Sequence, residues 1–440
     1  MSPPTSQLLE QAAALADKEP RKAEALFLQI LDAKSDGART RVLLRSRSHP
    51  SPDSATADQL LRDQEAALTR LAQLYRDEKN AEALVDVVRK SRSYMSSTAK
   101  AKTARLIRTL LDFFTAIPGS EQIQTDVILE NIEWAKKEKR IFLKQSLETR
   151  LVALYLDSNS FKPALALVDS LLAELKRLDD KLILTEVHLL ESRIYRGLGN
   201  LPKAKAALTS ARTAANAIYC PPHLQAQLDL QSGVLHAEEK DFKTAYSYFF
   251  ETFENLSAQD DPKALNSLKY MLLCKIMLNM PEDVTSLLSI KLALKYAQLR
   301  DVESMRAVAR AHQNRNLAEF ERALRDYREE LSSDPTIRSH LAALYDTLLE
   351  QNLLRIVEPY SIVEVDFVAT SVGQDRQRVE AKLSQMILDK VFHGVLDQGR
   401  GCLLVFDEPE EDVAYQSAIG MLEQVGKVVD SLYAKATKLA

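Results

Sequence analysis

Apolar positions recur along most of this chain at the spacing of helices. Three stretches show the pattern: "LYLDSNSFKPALALVDSLL", "IYRGLGNLPKAKAALTSAR" and "LHAEEKDFKTAYSYFFETF". Each closes one apolar-striped segment, makes a short polar turn and opens another. In each second segment an alanine is followed by partners at i+4 and i+7: Ala164, Val168, Leu171; Ala204, Leu208, Ala211; Ala245, Phe249, Thr252. These positions share one helix face. The alanine lets a partner helix approach, and the next two residues fill the layer behind it. The alanines recur 40 and 41 residues apart, and Val284 in "NMPEDVTSLLS" follows 39 later. Such a period predicts stacked helical hairpins, a right-handed solenoid of tetratricopeptide-like units longer than the usual ~34 residues. "KEPRKAEALFLQIL" and "RDEKNAEALVDVVRK" carry the same turn-and-helix pattern toward the N-terminus. Between them, residues 34–58 are polar, with Arg39, Arg41, Arg45 and Arg47, and predict an inserted flexible loop.

The pattern changes near residue 337. "TIRSHLAALYDTLLEQNLLRIVEPY" reads as a helix stopped at Pro359, and "SIVEVDFVATSVG" as a β-branched run and a short helix closed by Gly373. "QDRQRVEAKLSQMILDK" places Val379, Leu383, Met386 and Ile387 on one face of a third helix. "VFHGVLDQGRGCLLVF" then predicts strand, Gly-rich turn, strand. Three helices and a hairpin make a winged helix over 337–408. Val395, Leu396, Leu403, Leu404, Val405 and Phe406 supply an aliphatic wing able to pair with a neighbouring sheet edge. Beyond "DEPEED", Tyr415, Ala418, Leu422, Val425, Val429, Leu432, Ala436 and Leu439 are spaced alternately three and four apart. That is a heptad seam, which a single helix cannot bury alone. The expected units are a solenoid over 1–225, further helical repeats over 226–336 leading into the winged helix, and a terminal helix over 409–440.

Composition sharpens this reading. With 440 residues, 46% hydrophobic, only 11 glycines and 15 prolines, the chain is mostly α. Its net charge of −4 gives no electrostatic reason to seek a phosphate backbone. Over 337–408 the basic residues number seven and the acidic eleven, so the winged helix is expected to hold protein and not nucleic acid. Cys220, Cys274 and Cys402 are far apart, and "MSPPTSQLLEQAAAL" lacks the basic and apolar regions of a secretory signal. A reduced compartment, cytoplasm or nucleus, is expected. No apolar run reaches the ~18 residues of a membrane span. The seven histidines never fall at metal-ligand spacing, and there is no Cys-x-x-Cys, P-loop or Gly-x-Ser-x-Gly. No catalytic residue, cofactor or metal is expected.

A helical solenoid running into a winged helix and then a heptad helix resembles the PCI-domain proteins. "ANAIYCPPHLQAQLDLQSGVLHAEEKDFKTAYSYFFETFENL", "SLKYMLLCKIMLN", "KLSQMILDKVFHGVLDQGRGCLLVFDEP" and "KVVDSLYAKATKLA" resemble one family more closely: the lid subunits of the 26S proteasome regulatory particle called non-ATPase subunit eleven. The resemblance runs from about residue 60 to the end. It implies a non-catalytic scaffold whose winged helix pairs with those of other lid PCI subunits and whose terminal helix joins a bundle that drives lid assembly. The implied partners also include the lid deubiquitinase, the ATPase ring and the α-ring of the core particle. The equivalent scaffold of the signalosome is the nearest alternative, and a nucleic-acid-binding winged helix is the alternative of another class.

Overall fold

The computed structural model describes residues 5–16, 20–32, 52–94, 100–280, 282–407 and 413–436. The chain divides into two compact units, 1–235 and 236–440, later than the expected 225/226 boundary. In the first unit the helices are α1 (Thr5–Ala16), α2 (Pro20–Asp32), α3 (Pro52–Asp77), α4 (Ala81–Tyr94), α5 (Lys100–Phe114), α6 (Glu121–Lys137), α7 (Ile141–Asp157), α8 (Phe161–Leu178), α9 (Lys181–Gly197) and α10 (Leu201–Asn216). Helix α11 (Pro222–Glu238) runs across the boundary. α7 packs on α8, α8 on α9 and α9 on α10, while α7 also touches α9. Contact between neighbours and next-neighbours is what a stack of hairpins requires. Ala164, Val168, Leu171, Ala204, Ala211 and Ala245 are fully buried, and Phe249 is 1% exposed. The repeat reading therefore holds at the residues that carried it.

The turns explain how helices follow one another so tightly. Lys139, Asn159, Asp179 and Gly199 stand twenty residues apart, and each has φ between 54° and 76°. Around Asn159 the Ser160 N–H donates to the Tyr155 carbonyl at 2.8 Å and the Asn159 N–H to the Leu156 carbonyl at 3.0 Å. The same pair closes α9, from Asn200 to Tyr195 and from Gly199 to Arg196, both at 2.9 Å. This is the left-handed C-terminal cap that satisfies the last carbonyls of a helix. The following residue then starts the next helix. Oδ1 of Asn200 accepts from the Lys203 N–H at 3.2 Å, and Asp180 serves Ile183 likewise.

Residues 33–51 lie outside the described residues, and with them Arg39, Arg41, Arg45 and Arg47. The predicted loop does not extend to 58, because α3 already begins at Pro52. Proline is compatible with a first helical turn, where its missing N–H costs nothing.

The second unit continues with α12 (Phe242–Ala258), α13 (Ala264–Met277), α14 (Glu282–Leu288), α15 (Arg300–Gln313), α16 (Leu317–Asp326), α17 (Arg328–Ser332) and α18 (Pro335–Val357). The winged helix follows as β1 (Ile362–Glu364), α19 (Val365–Val372), α20 (Arg376–Leu388), β2 (His393–Asp397) and β3 (Cys402–Phe406), and α21 (Val413–Ala436) ends the described chain. Gly373 caps α19 at φ 72°, as its position after the β-branched run predicts. Val379, Leu383 and Met386 of α20 are buried, and Ile387 is half-buried.

The wing differs from expectation in one respect. Its sheet has three antiparallel strands in the order β1-β3-β2, with Val363 and Leu396 flanking Leu403 on either side. β3 is the central strand, hydrogen-bonded along both edges. Leu403 is fully buried, and Leu403 and Leu404 are paired with a neighbouring strand on both sides. The Val405 N–H donates to the Ser361 carbonyl, whereas Phe406, at the strand end, pairs with His393 of β2. The hairpin alone had suggested an open β3, because the three residues of β1 are too short to announce a strand by alternation.

Candidate functional site

Helix α21 carries nine large exposed hydrophobic side chains at close spacing. Tyr415, Leu422, Val425, Val429 and Leu432 are 55–71% exposed, and Ala418 is exposed as well. Ala436 ends the helix, and Leu439 lies outside the described residues. The apolar surface is wider than the predicted seam. Ile419, Met421, Val428 and Tyr433 are also exposed. Together they resolve into two adjacent tracks, each alternating steps of four and three. One is Ala414, Ala418, Met421, Val425, Val428, Leu432; the other is Tyr415, Ile419, Leu422, Gly426, Val429, Tyr433. The period-3.5 reading threaded between them, taking alternate members of each. Glu423, Lys427 and Asp430 keep the opposite face polar. Covering any one of the large side chains contributes about 1.5–3 kcal/mol, and two tracks leave much of that burial unrealised in the chain itself. Gly426 sits in the second track with nothing within 4 Å of where a Cβ would stand, leaving room for close backbone approach.

The winged helix presents apolar residues at both sheet margins. Beside β2, Leu388, Val391 and Val395 are 81%, 45% and 52% exposed, with Leu396 half-buried. β2 pairs with β3 along one edge, so its outer edge is the one at which Val395 and Leu396 can meet a partner. Beside β1, Tyr360, Ile362 and Phe367 are exposed, and the Tyr360 and Phe367 rings meet edge to face at 6.4 Å. Tyr360 follows the helix stop at Pro359 and Ile362 belongs to the β-branched run, and neither position announces a surface patch in the sequence. Phe406, 54% exposed, ends β3.

The helix that would read DNA has its cations engaged within the chain. Arg376 donates to Glu380 at 2.8 Å and to both Asp366 oxygens at 3.1 Å. These carboxylates hold its guanidinium above the ordinary arginine range, the Glu380 hydrogen bond contributing most. Lys382 Nζ lies 2.7 Å from Glu350, and Arg378 stacks over Tyr345 at 5.5 Å. In the wing turn Asp397 Oδ1 accepts the Gly399 and Arg400 N–H groups, and the Arg400 guanidinium is 3.8 Å from the same carboxylate. This wing is a neutralised surface. Among the described residues no cluster of His, Cys, Asp and Glu is arranged to hold a metal, and no helix is long and apolar enough to cross a membrane.

Stacked hairpins, a three-stranded winged helix and a bare terminal helix define a PCI-class helical protein, and the PCI domain family matches residues 324–407. Two further families match on either side of it. The 26S proteasome regulatory subunit RPN6 N-terminal domain covers residues 5–158, and the 26S proteasome subunit RPN6 C-terminal helix domain covers 411–437. A fission yeast (Schizosaccharomyces pombe) probable 26S proteasome regulatory subunit rpn6 is 56% identical over 85% of this chain and 89% of its own. The Saccharomyces cerevisiae 26S proteasome regulatory subunit RPN6 is 46% identical over all of both chains. An Arabidopsis thaliana 26S proteasome non-ATPase regulatory subunit 11 homolog is 50% identical over 88% of this chain and 92% of its own. The chain belongs to the RPN6, or non-ATPase subunit 11, family of 26S proteasome regulatory subunits.

Proposed function

We propose that this chain is a non-catalytic scaffold of the proteasome regulatory particle lid, built into it by α21 and by the margins of the winged helix. The observation that carries this reading is the exposed apolar half of α21, lying where the RPN6 C-terminal helix family matches. Two parallel tracks fit two flanking helices of sister subunits, with the polar face turned outward. The β2 edge with Val395 and Leu396 receives the sheet of an adjacent PCI subunit by backbone pairing. The first unit faces the ATPase ring and the α-ring of the core particle, and the lid deubiquitinase supplies the metal chemistry. Work of this kind belongs to the cytoplasm and nucleus. The nucleic-acid reading finds no support in a helix whose arginines and lysine are already paired.

The test is the triple change Leu422→Glu, Val429→Glu, Leu432→Glu. All three side chains are solvent-exposed, so the solenoid should fold unchanged, while recovery of lid subunits with the tagged chain should fall at least tenfold. Recovery at wild-type yield would remove α21 from the interface. Core peptidase subunits in the wild-type purification separate the proteasome from the signalosome.

A further inference from the structure

The first unit holds an open groove of about 610 Å3 that no part of the preceding account uses. Four helices of the repeat line it. α5 contributes Arg108, α7 contributes Arg150, α9 contributes Glu186 and Arg193, and α11 contributes Gln227, over a floor of leucines from α7, α9 and α11. The charges in it are unevenly satisfied. Arg150 is committed to the Asp112 carboxylate and to the Leu111 carbonyl. Glu186 is desolvated, which raises its carboxyl pKa, and Arg108 is the cation that attracts it.

Arg193 is different. It is half-buried, and among the described residues no carboxylate comes within ion-pair distance of it. Its side chain donates to Gln227 Oε1 at 3.4 Å, at the long limit of a hydrogen bond. Burial pushes its guanidinium below the usual arginine range, Arg196 adds repulsion, and the attraction of Asp157 does not offset them. A half-buried guanidinium that no carboxylate touches directly keeps its fork open, and a bidentate carboxylate is the group that planar fork fits best.

We propose that this groove receives an extended acidic segment of a partner polypeptide, one carboxylate seated on Arg193 and flanking apolar side chains on the leucine floor. Charge complementarity selects the carboxylate, and the length of a groove crossing four helices selects an extended chain. The interaction is independent of α21, so its failure leaves the lid-assembly reading standing.

The experiment uses the purified full-length chain and two fluorescein-labelled, end-blocked octapeptides, one alternating Glu and Leu and the other Gln and Leu. Fluorescence anisotropy should show the Glu peptide binding at least tenfold more tightly than the Gln peptide. Arg193→Gln should abolish that difference, and Arg193→Lys should restore part of it. Leu182→Glu, at an exposed lining position, provides a second variant should Arg193→Gln fail to fold, and should weaken the Glu peptide at least tenfold. Equal binding of the two peptides, no binding to the folded chain, or unchanged binding by Arg193→Gln or Leu182→Glu each overturns the proposal.

Discussion

At the scale of single residues, two positions in the second unit have no slack. Gly394 lies in β2 so close to its neighbour that an added Cβ would stand 2.7 Å from the Leu404 carbonyl oxygen and 3.1 Å from the Phe392 ring. The carbonyl belongs to the strand ladder and cannot swing away without breaking it. Gly394→Ala should destabilise the winged helix by about 1–3 kcal/mol, read as a lower urea midpoint. His312 is 5% exposed, and neither ring nitrogen has a hydrogen-bond partner. Burial, aided by the nearby Arg315, holds its pKa below the ordinary value of 6.5. The unfolded chain therefore takes up this proton more readily than the folded one. His312's contribution is fully retained above the ordinary imidazole pKa and is lost as pH falls below it. Urea denaturation at about pH 7.5 and about pH 5.5 should show a smaller pH difference for His312→Leu than for the wild type. A sequence carries little of either fact. A glycine in "VFHGVL" could serve a turn as well as a close approach, and an isolated histidine does not disclose whether it will be buried.

At the scale of elements, the repeat was legible because its buried face is periodic: Ala164, Ala204 and Ala245 mark one position in three successive hairpins, and all three are fully buried. Substituting Leu for Ala204 forces extra methylenes into the contact between α9 and α10. It should cost about 1–3 kcal/mol, seen as a lower thermal midpoint with the helical circular dichroism retained at low temperature. The turns were harder to read. Lys139, Asn159, Asp179 and Gly199 occupy equivalent left-handed sites with four different side chains, so no residue type flags the motif. Position, set by the twenty-residue spacing, flags it instead. The third strand of the wing was concealed for another reason. Ile362–Glu364 is three residues long, below the length at which alternation shows, and only its pairing with β3 defines it. The terminal helix was found, but as one seam, because a strict three-four count selects a single path through an apolar face that is about half the circumference.

At the scale of the whole molecule, the chain's aliphatic side chains are partitioned unequally. The repeats and the winged-helix interior bury most of theirs, whereas α21 buries none of its described ones. A 24-residue helix with no covering layer has little to hold it beyond its own hydrogen bonds, whereas most helical stability in proteins comes from packing of an apolar face. Family membership is consistent with this asymmetry, since the RPN6 C-terminal helix is matched as a domain separate from PCI. The heptad spacing predicts helical partners for this segment, and the relatives place the chain among 26S proteasome regulatory subunits. Hydrogen–deuterium exchange over residues 413–436 tests the claim most directly, comparing the purified chain with the same chain in an intact regulatory particle. The account predicts rapid exchange in the isolated chain and slowing of about a hundredfold or more on assembly. Strong protection already present in the isolated chain, unchanged in the particle, would contradict it.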